Sequence, residues 1–186
     1  MSAPALKEWS AAVHALLDGR QTVLLRKGGI GEKRFRLPSE VDAERFLLFP
    51  TVAHSHALRV RPEHRDLLEP AACDSTEDAL TLRAGADIVA SVEVRRPEAI
   101  AELEPLHIWT ADSIQRDRLD FRPKHRLTAL VVAVRPLIEP VRIARLPQYG
   151  GCTSWVDVSV SPRWGTPVHD DAALRDVADR VRRSVG

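Results

Sequence analysis

The chain has 186 residues, 44% of them hydrophobic, which is enough apolar material for one sizeable core. Its 27 lysines and arginines balance 26 aspartates and glutamates, so the net charge of +1 excludes a global field that attracts nucleic acid or an anionic membrane. Two cysteines without a CxxC pair, no long apolar stretch and no leader-like start exclude a disulfide framework and a membrane span. We therefore expect one cytoplasmic domain over residues 1–186.

An N-terminal amphipathic helix is predicted over about residues 4–18. Apolar residues recur at helical spacing between Leu6 and Leu17, and Gly19 is placed as the residue that follows a helix. The opposite face, which carries Lys7 and Glu8, is expected to face solvent.

Two apolar runs, Val23–Leu25 and Phe46–Phe49, predict buried strands. The first run ends at two cations and two glycines, and Pro50 ends the second before Thr51 and His54. If the two strands pair as a hairpin, the cations and His54 lie at one end of a sheet.

The second half of the chain predicts more strands than helices. Residues 79–83 and 87–94 read as a hairpin with a turn at Gly85, and residues 127–134 form the most β-branched run and predict a central strand. A separate strand is expected over residues 141–146. A C-terminal amphipathic helix follows a cap at Asp170 or Asp171. The pattern predicts an α+β fold built on a mainly antiparallel sheet.

Two basic clusters are candidates for phosphate binding. The first is a glycine turn whose backbone N–H groups and cations form an anion pocket, and it comprises Arg26, Lys27, Gly28 and Gly29. The second is a basic connector that contains Phe121 for base stacking and comprises Arg116, Arg118, Arg122, Lys124, His125 and Arg126. Of these, Arg122, Lys124 and Arg126 are the predicted phosphate contacts. A solvated turn and a solvated helix end are the simpler explanations of these clusters.

Candidate catalytic residues are His54, His107 and Cys152. Cys152 follows two glycines, so it can act as a nucleophile with either histidine as its base. A small buried residue at a tight turn explains the same sequence more simply. His54 and His56 have metal-ligand spacing, but a structural histidine is again the simpler explanation, and we predict neither a metal nor a cofactor.

Six short segments spread over nearly the whole chain resemble a bacterial family known only as a domain of unknown function. They are Leu6–Trp9, Leu25–Ile30, Phe46–Thr51 with His54, His107–Trp109, Leu130–Arg135, and Tyr149–Cys152 with Ser154 and Trp155. Members of that family are sometimes joined to restriction-endonuclease-like domains, so the resemblance implies a link to restriction or DNA defence. A nuclease site is not predicted here, because Glu93-Val94-Arg95 has arginine where an acid-x-Lys triplet needs lysine.

Three hypotheses for function follow. The preferred one is an accessory protein that contacts nucleic acid through the two basic clusters. The second is a small phosphoesterase-like or hydrolase enzyme with a site around Arg26, Lys27, His54, His107 and Cys152. The third is a protein-interaction module without an anion site. The oligomeric state is left open.

Overall fold

One six-stranded sheet, in the strand order β2-β5-β4-β3-β1-β6, organises the computed structural model, which describes residues 2–27, 45–52 and 55–186. The strands are β1 (Ala3–Trp9), β2 (Val23–Lys27), β3 (Phe46–Thr51), β4 (Ala79–Glu93), β5 (Leu127–Ala144) and β6 (Trp155–Val158). β1 pairs with β3 in parallel, and the other pairs among these strands are antiparallel. The predicted α+β fold with a mainly antiparallel sheet is confirmed.

Helices cover parts of this sheet and join its strands. The α-helices are α1 (Ser10–Leu17), α2 (His56–Arg59), α3 (Leu68–Cys73), α4 (Ala111–Ile114) and α5 (Asp171–Val185). Segments of 3₁₀ helix span Pro62–Leu67, Pro97–Leu106 and Pro147–Tyr149, and one π-helical segment spans Gln115–Asp120. Among the helices of the described ranges, none combines the length and the apolar character that crossing a bilayer requires.

Alternation along the strands divides the core between the two faces of the sheet. On β2, Leu24 packs with Leu6 and Phe46 on one face, whereas Val23 and Leu25 pack on the other. The second face is covered by α5, whose buried stripe includes Val181, and Asp170 caps this helix as predicted by accepting the Ala173 N–H at 2.8 Å. Burying this stripe against the sheet holds the C-terminal helix in place.

The N-terminal helix begins at Ser10 rather than near residue 4, and residues 3–9 form β1. Side-chain alternation in this strand buries Leu6 and Glu8, so the expectation that Glu8 faces solvent was wrong. The prediction failed because Leu6 on β1 and Val13 on α1 belong to one set of apolar residues with helical spacing, although only the second lies on a helix. The pairing of Ala5 with Leu47 shows that sheet partners overrode the local pattern.

Two expected hairpins are also wrong. β2 pairs with β5, and β3 pairs with β1 and β4, so Val23–Leu25 and Phe46–Phe49 are buried strands that do not pair with each other. β4 is one continuous strand through Gly85, where an added Cβ would come within 2.4 Å of the Trp164 ring. Gly85 does not make a turn. It lacks a side chain so that the Trp164 ring can pack directly against the strand. Likewise, residues 127–144 form the single interior strand β5.

Candidate functional site

A cleft of about 270 Å³ lies where β1, β2, the π-helical segment and the loop before β6 meet. We call it the basic cleft, because four of its lining residues are cations. It is lined by Lys7, Trp9, Arg26, Lys27, Thr51, Arg118, Phe121, Cys152, Thr153 and Ser154. Thus Arg26 and Lys27, the described part of the first predicted cluster, line a cavity together with Arg118 of the basic connector and with Lys7, which the sequence did not single out.

Curvature of the sheet builds the basic cleft. β2 lies at one edge of the strand order and β1 is the fifth strand, yet Arg26 Nη1 donates to the Lys7 carbonyl at 3.1 Å. The backbone N–H of Lys7 donates to the carbonyl of Ser154, in the loop before β6, at 2.8 Å. β1 therefore holds the loop before β6 and the end of β2 around one concave surface.

A buried carboxylate offsets part of the positive charge. Glu8 is 3% exposed, and its Oε2 lies 3.3 Å from Arg26 Nη1. Its other oxygen accepts the Trp9 backbone N–H at 2.8 Å. Arg26 is consequently occupied by structural contacts, whereas Lys7, Lys27 and Arg118 keep donors for a ligand.

Arg118 is a cation of the cleft that the described residues compensate only weakly. Among these residues its buried Nε has no hydrogen-bond partner, and its Nη1 donates to the adjacent Asp117 carbonyl at 3.2 Å. Within the described ranges, Arg118 forms no ion pair at 4 Å or less. Burial lowers the pKa of Arg118, an effect that the nearby Glu8 carboxylate partly offsets. A half-buried guanidinium whose Nε–H is buried and unsatisfied gains stability from an anion.

Lys7 binds the loop that contains Gly150 and Gly151, and its side chain also lines the basic cleft. Its Nζ donates to the carbonyls of Gly150 and Gly151 at 3.2 and 3.1 Å. Burial lowers the pKa of Lys7, and the negative charge of Cys152 in its ionised form acts in the opposite direction. Lys7 and Cys152 both line the cleft.

The two predicted basic clusters adjoin each other. In the β2–β5 pair, Lys27 lies opposite Leu127, so residues 122–126 enter β5 beside the end of β2. Lys27 Nζ also donates to the Leu119 carbonyl at 3.1 Å. Arg122, Lys124 and Arg126 are exposed, and Arg126 Nη1 contacts Glu93 Oε2 at 2.7 Å. An ion pair this exposed is weak, so Arg126 can exchange Glu93 for another anion.

Phe121 is the exposed aromatic residue at this surface, with 52% of its area accessible. The Arg122 guanidinium lies 5.1 Å from its ring centre. Trp9 is less accessible for stacking, because the Arg59 guanidinium lies 4.5 Å from its ring centre and the His56 ring centre is 4.3 Å away. Base stacking is therefore available at Phe121 and is already occupied at Trp9.

The three candidate catalytic residues are placed differently. Cys152 is exposed, so the interpretation of it as a small buried residue was wrong, and it lines the basic cleft. His107 lines a second cavity of about 260 Å³, which does not include Cys152. Burial first, and then the positive charge of Arg61, hold the pKa of His107 at about 3, so it is a weak base at neutral pH. His54, like Gly28 and Gly29, lies outside the described residues.

Sequence reasoning missed Lys7 and Glu8, which were assigned to a solvated helix face. It counted Arg118 among the cations of the basic connector but did not select it as a phosphate contact, because Asp117 and Asp120 lie beside it in the sequence. The usable signal was the segment Leu6–Trp9, which the family resemblance contains. Across the described part of the chain, no three His, Cys, Asp or Glu side chains come together as metal ligands would.

Fold and site together define an α+β protein with a basic, partly aromatic cleft at one end of a curved sheet. Residues 5–180 match the family described as domain of unknown function DUF1802. The chain belongs to this family. No curated protein matches it.

Among solved structures, the chain is similar to the crystal structure of ASCH from Zymomonas mobilis, at 16% identity and a TM-score of 0.43, over 74% of this chain and 71% of that one. A tyrosine-to-phenylalanine mutant of that protein matches at 16% identity and a TM-score of 0.42, over 74% and 73% of the two chains. A serine-to-alanine mutant matches at 16% identity and 0.41, over 74% and 72%. A likeness of this degree transfers no function.

Proposed function

We propose that the protein binds single-stranded nucleic acid, with the phosphate backbone in the basic cleft and along residues 122–126. The observation that supports the proposal most is the convergence of Lys7, Arg26, Lys27 and Arg118 on one cleft of about 270 Å³. The net charge of the whole chain is only +1, so this local concentration is not a consequence of composition.

Two further features favour a single strand. The basic cleft is concave, and a strand with its bases unpaired can enter it and place a base on Phe121, which is 52% exposed. The hydroxyls of Thr51, Thr153 and Ser154 line the same cleft and can hydrogen-bond phosphate or sugar oxygens.

Fluorescence anisotropy with short single- and double-stranded DNA and RNA, at two salt concentrations, tests the proposal. We expect salt-dependent binding of single strands, and a Lys27→Met variant should reduce the slope of log K against log salt by about 0.7. Arg175→Ala is the matched control, since this exposed arginine on α5 removes the same charge away from the cleft lining. Phe121→Ala should weaken single-strand binding about 5- to 100-fold, as loss of one stacked base does.

Two results would overturn the proposal: no binding at low salt, or Lys27→Met and Phe121→Ala variants that bind like the control. A protein-interaction module, the third hypothesis, predicts the first of these results. An association with restriction or DNA defence, which the family resemblance implies, stays a prediction.

A hydrolytic enzyme in the same cleft is the second candidate function. The observation that favours it is Cys152, which is exposed and lines the basic cleft beside Lys7. The roles of His54, His107 and Cys152 in catalysis stay predictions. A chromogenic phosphodiester tests this candidate. If the native chain hydrolyses it and the Cys152→Ser variant does not, while that variant still binds oligonucleotide, the protein is an enzyme rather than a simple binding protein.

A further inference from the structure

A second cavity, separate from the basic cleft, lies between the 3₁₀ segment Pro97–Leu106 and the helical residues 111–119. We call it the His107 cavity. Its volume of about 260 Å³ is ample for a ring compound, because cavities of about 150 Å³ already bind benzene. It is not part of the proposed nucleic-acid interface.

Apolar side chains form most of the wall of the His107 cavity. Trp109 and Ile114 are each 5% exposed and lie at its buried side, and Ile100 and Leu119 are partly buried. A cavity with such walls favours an apolar occupant whose ring packs against Trp109.

His107 supplies one polar group with a fixed direction of hydrogen bonding. Its Nδ1 accepts the backbone N–H of Trp109 at 3.1 Å, so the neutral ring must carry its hydrogen on Nε2. No hydrogen bond to Nε2 is formed within the described ranges. Burial and the charge of Arg61 keep the pKa of His107 low, at about 3, so the ring is a donor at Nε2 throughout the physiological range.

The rim of the cavity disfavours anions. Glu98 and Glu104 line the rim and are exposed, and Arg61 lies 3.9 Å from one oxygen of Glu104 without lining the cavity. The cavity lining contains no lysine or arginine among the described residues. A carboxylate or phosphate would therefore meet the negative charge of Glu98 and Glu104 at the rim, and no lining cation is there to pair with it.

We propose that the His107 cavity is a binding site for an uncharged ring compound that carries a carbonyl group, with His107 Nε2–H donating to that carbonyl. The ring of the ligand lies against Trp109 and Ile114. This role differs from the catalytic base that the sequence suggests for His107.

Four one-ring probes of similar size test the proposal on the full chain by ligand-observed NMR. Benzamide has the carbonyl without charge, benzoate is an anion, benzamidine is a cation, and toluene lacks an acceptor. We expect saturable binding of benzamide with an affinity about three- to tenfold higher than that of the other three probes. This is the range that one hydrogen bond supplies. Equal binding of toluene or benzoate, tighter binding of benzamidine, or no saturable binding of benzamide would overturn the proposal.

Two variants locate the binding. Ala101 is exposed and lines the cavity, so Ala101→Phe should fill the mouth without disturbing the core and should weaken benzamide at least tenfold. Glu102→Phe is the matched control, because Glu102 is exposed on the same segment but does not line the cavity. Benzamide that binds Ala101→Phe as tightly as the control would place its site elsewhere and refute the assignment.

A spectroscopic readout tests the role of His107 without a variant. In protein labelled with ¹⁵N-histidine, the free protein should show His107 as the neutral tautomer with hydrogen on Nε2, and benzamide should shift its Nε2 resonance. A shift at other histidines with none at His107, or the opposite tautomer, would contradict the proposal.

Discussion

Asp74 is the residue whose replacement should destabilise the fold most clearly through charge. It follows α3 and is 1% exposed, yet it joins three elements. His14 on α1 lies 2.6 Å from Oδ2, Arg83 Nε on β4 donates to both oxygens at 2.8 and 2.7 Å, and the Asp74 carbonyl accepts the Thr81 N–H at 2.9 Å. Removing this carboxylate leaves His14 and Arg83 without their shared partner.

The expected magnitude follows from these contacts. Two charge-assisted hydrogen bonds contribute about 1.5–3 kcal/mol each, but Arg83 is 34% exposed and regains water. We expect Asp74→Ala to lower the free energy of unfolding by about 3 kcal/mol at pH 7, and Asp74→Asn by about 1–2 kcal/mol since it keeps one acceptor. The loss of about 3 kcal/mol expected for Asp74→Ala corresponds to a fall in Tm of about 6–12 °C for a chain of this size.

The pH dependence gives an independent check. Burial raises the pKa of Asp74, but the hydrogen bonds from His14 and Arg83 outweigh it, so the pKa of the folded state lies below 3.8. A depressed pKa contributes stability above the unfolded-state value, and that stability is lost as the pH falls through the folded-state value. The difference in stability between the native chain and Asp74→Asn should therefore narrow as the pH is lowered from 7 towards 3.

Urea unfolding followed by tryptophan fluorescence measures both effects. Asp78→Asn is the control, because Asp78 is exposed and its carboxylate forms no hydrogen bond or ion pair with the described residues. Asp74 variants that are as stable as the Asp78 control at pH 7, or a difference that stays constant on acidification, would refute the reasoning.

Three other predictions concern single sites. Gly85→Ala should destabilise by about 1–3 kcal/mol in urea unfolding, since its Cβ would lie 2.4 Å from Trp164 and 2.5 Å from the Phe46 carbonyl; a variant as stable as the native chain would contradict this packing. The His107 imidazole should stay neutral from pH 8 to pH 5 by NMR titration, since its pKa is held at about 3, and titration near pH 6.5 would show that the ring is solvated. Asp170→Ala should remove the N-terminal cap of α5 and so lower the free energy of unfolding in urea by about 1 kcal/mol. Asp170→Ser, which keeps a capping oxygen, should retain most of that stability.

The sequence predicts strand positions better than strand partners. The run at residues 46–49 had to be buried, and it is. Its pairing with β1 depends on contacts between distant parts of the chain, which no local pattern encodes. Gly85 shows the same limit, because a glycine that makes room for Trp164 looks in the sequence like a glycine that makes a turn.

The candidate site was predictable in part, for a physical reason. Arg26, Lys27 and residues 122–126 stand out because cations beside glycine or an aromatic residue are visible locally. Their proximity depends on the β2–β5 register, and the participation of Arg118 depends on which side of the π-helical segment faces the cleft. Residues that reach a site only through sheet curvature, such as Lys7, leave no such local signal.

The position of β1 also has a consequence for synthesis of the chain. β1 is translated before the other five strands of the sheet, yet its two sheet neighbours are β3 and β6, and Ala3 pairs with Val158. One edge of β1 therefore stays unpaired until Trp155–Val158 has been translated. Pairings this distant in sequence form slowly, and an exposed strand edge is a site of aggregation meanwhile. We expect the sheet to be complete only after translation of β6, so a nascent chain that ends before Trp155 exposes this edge of β1.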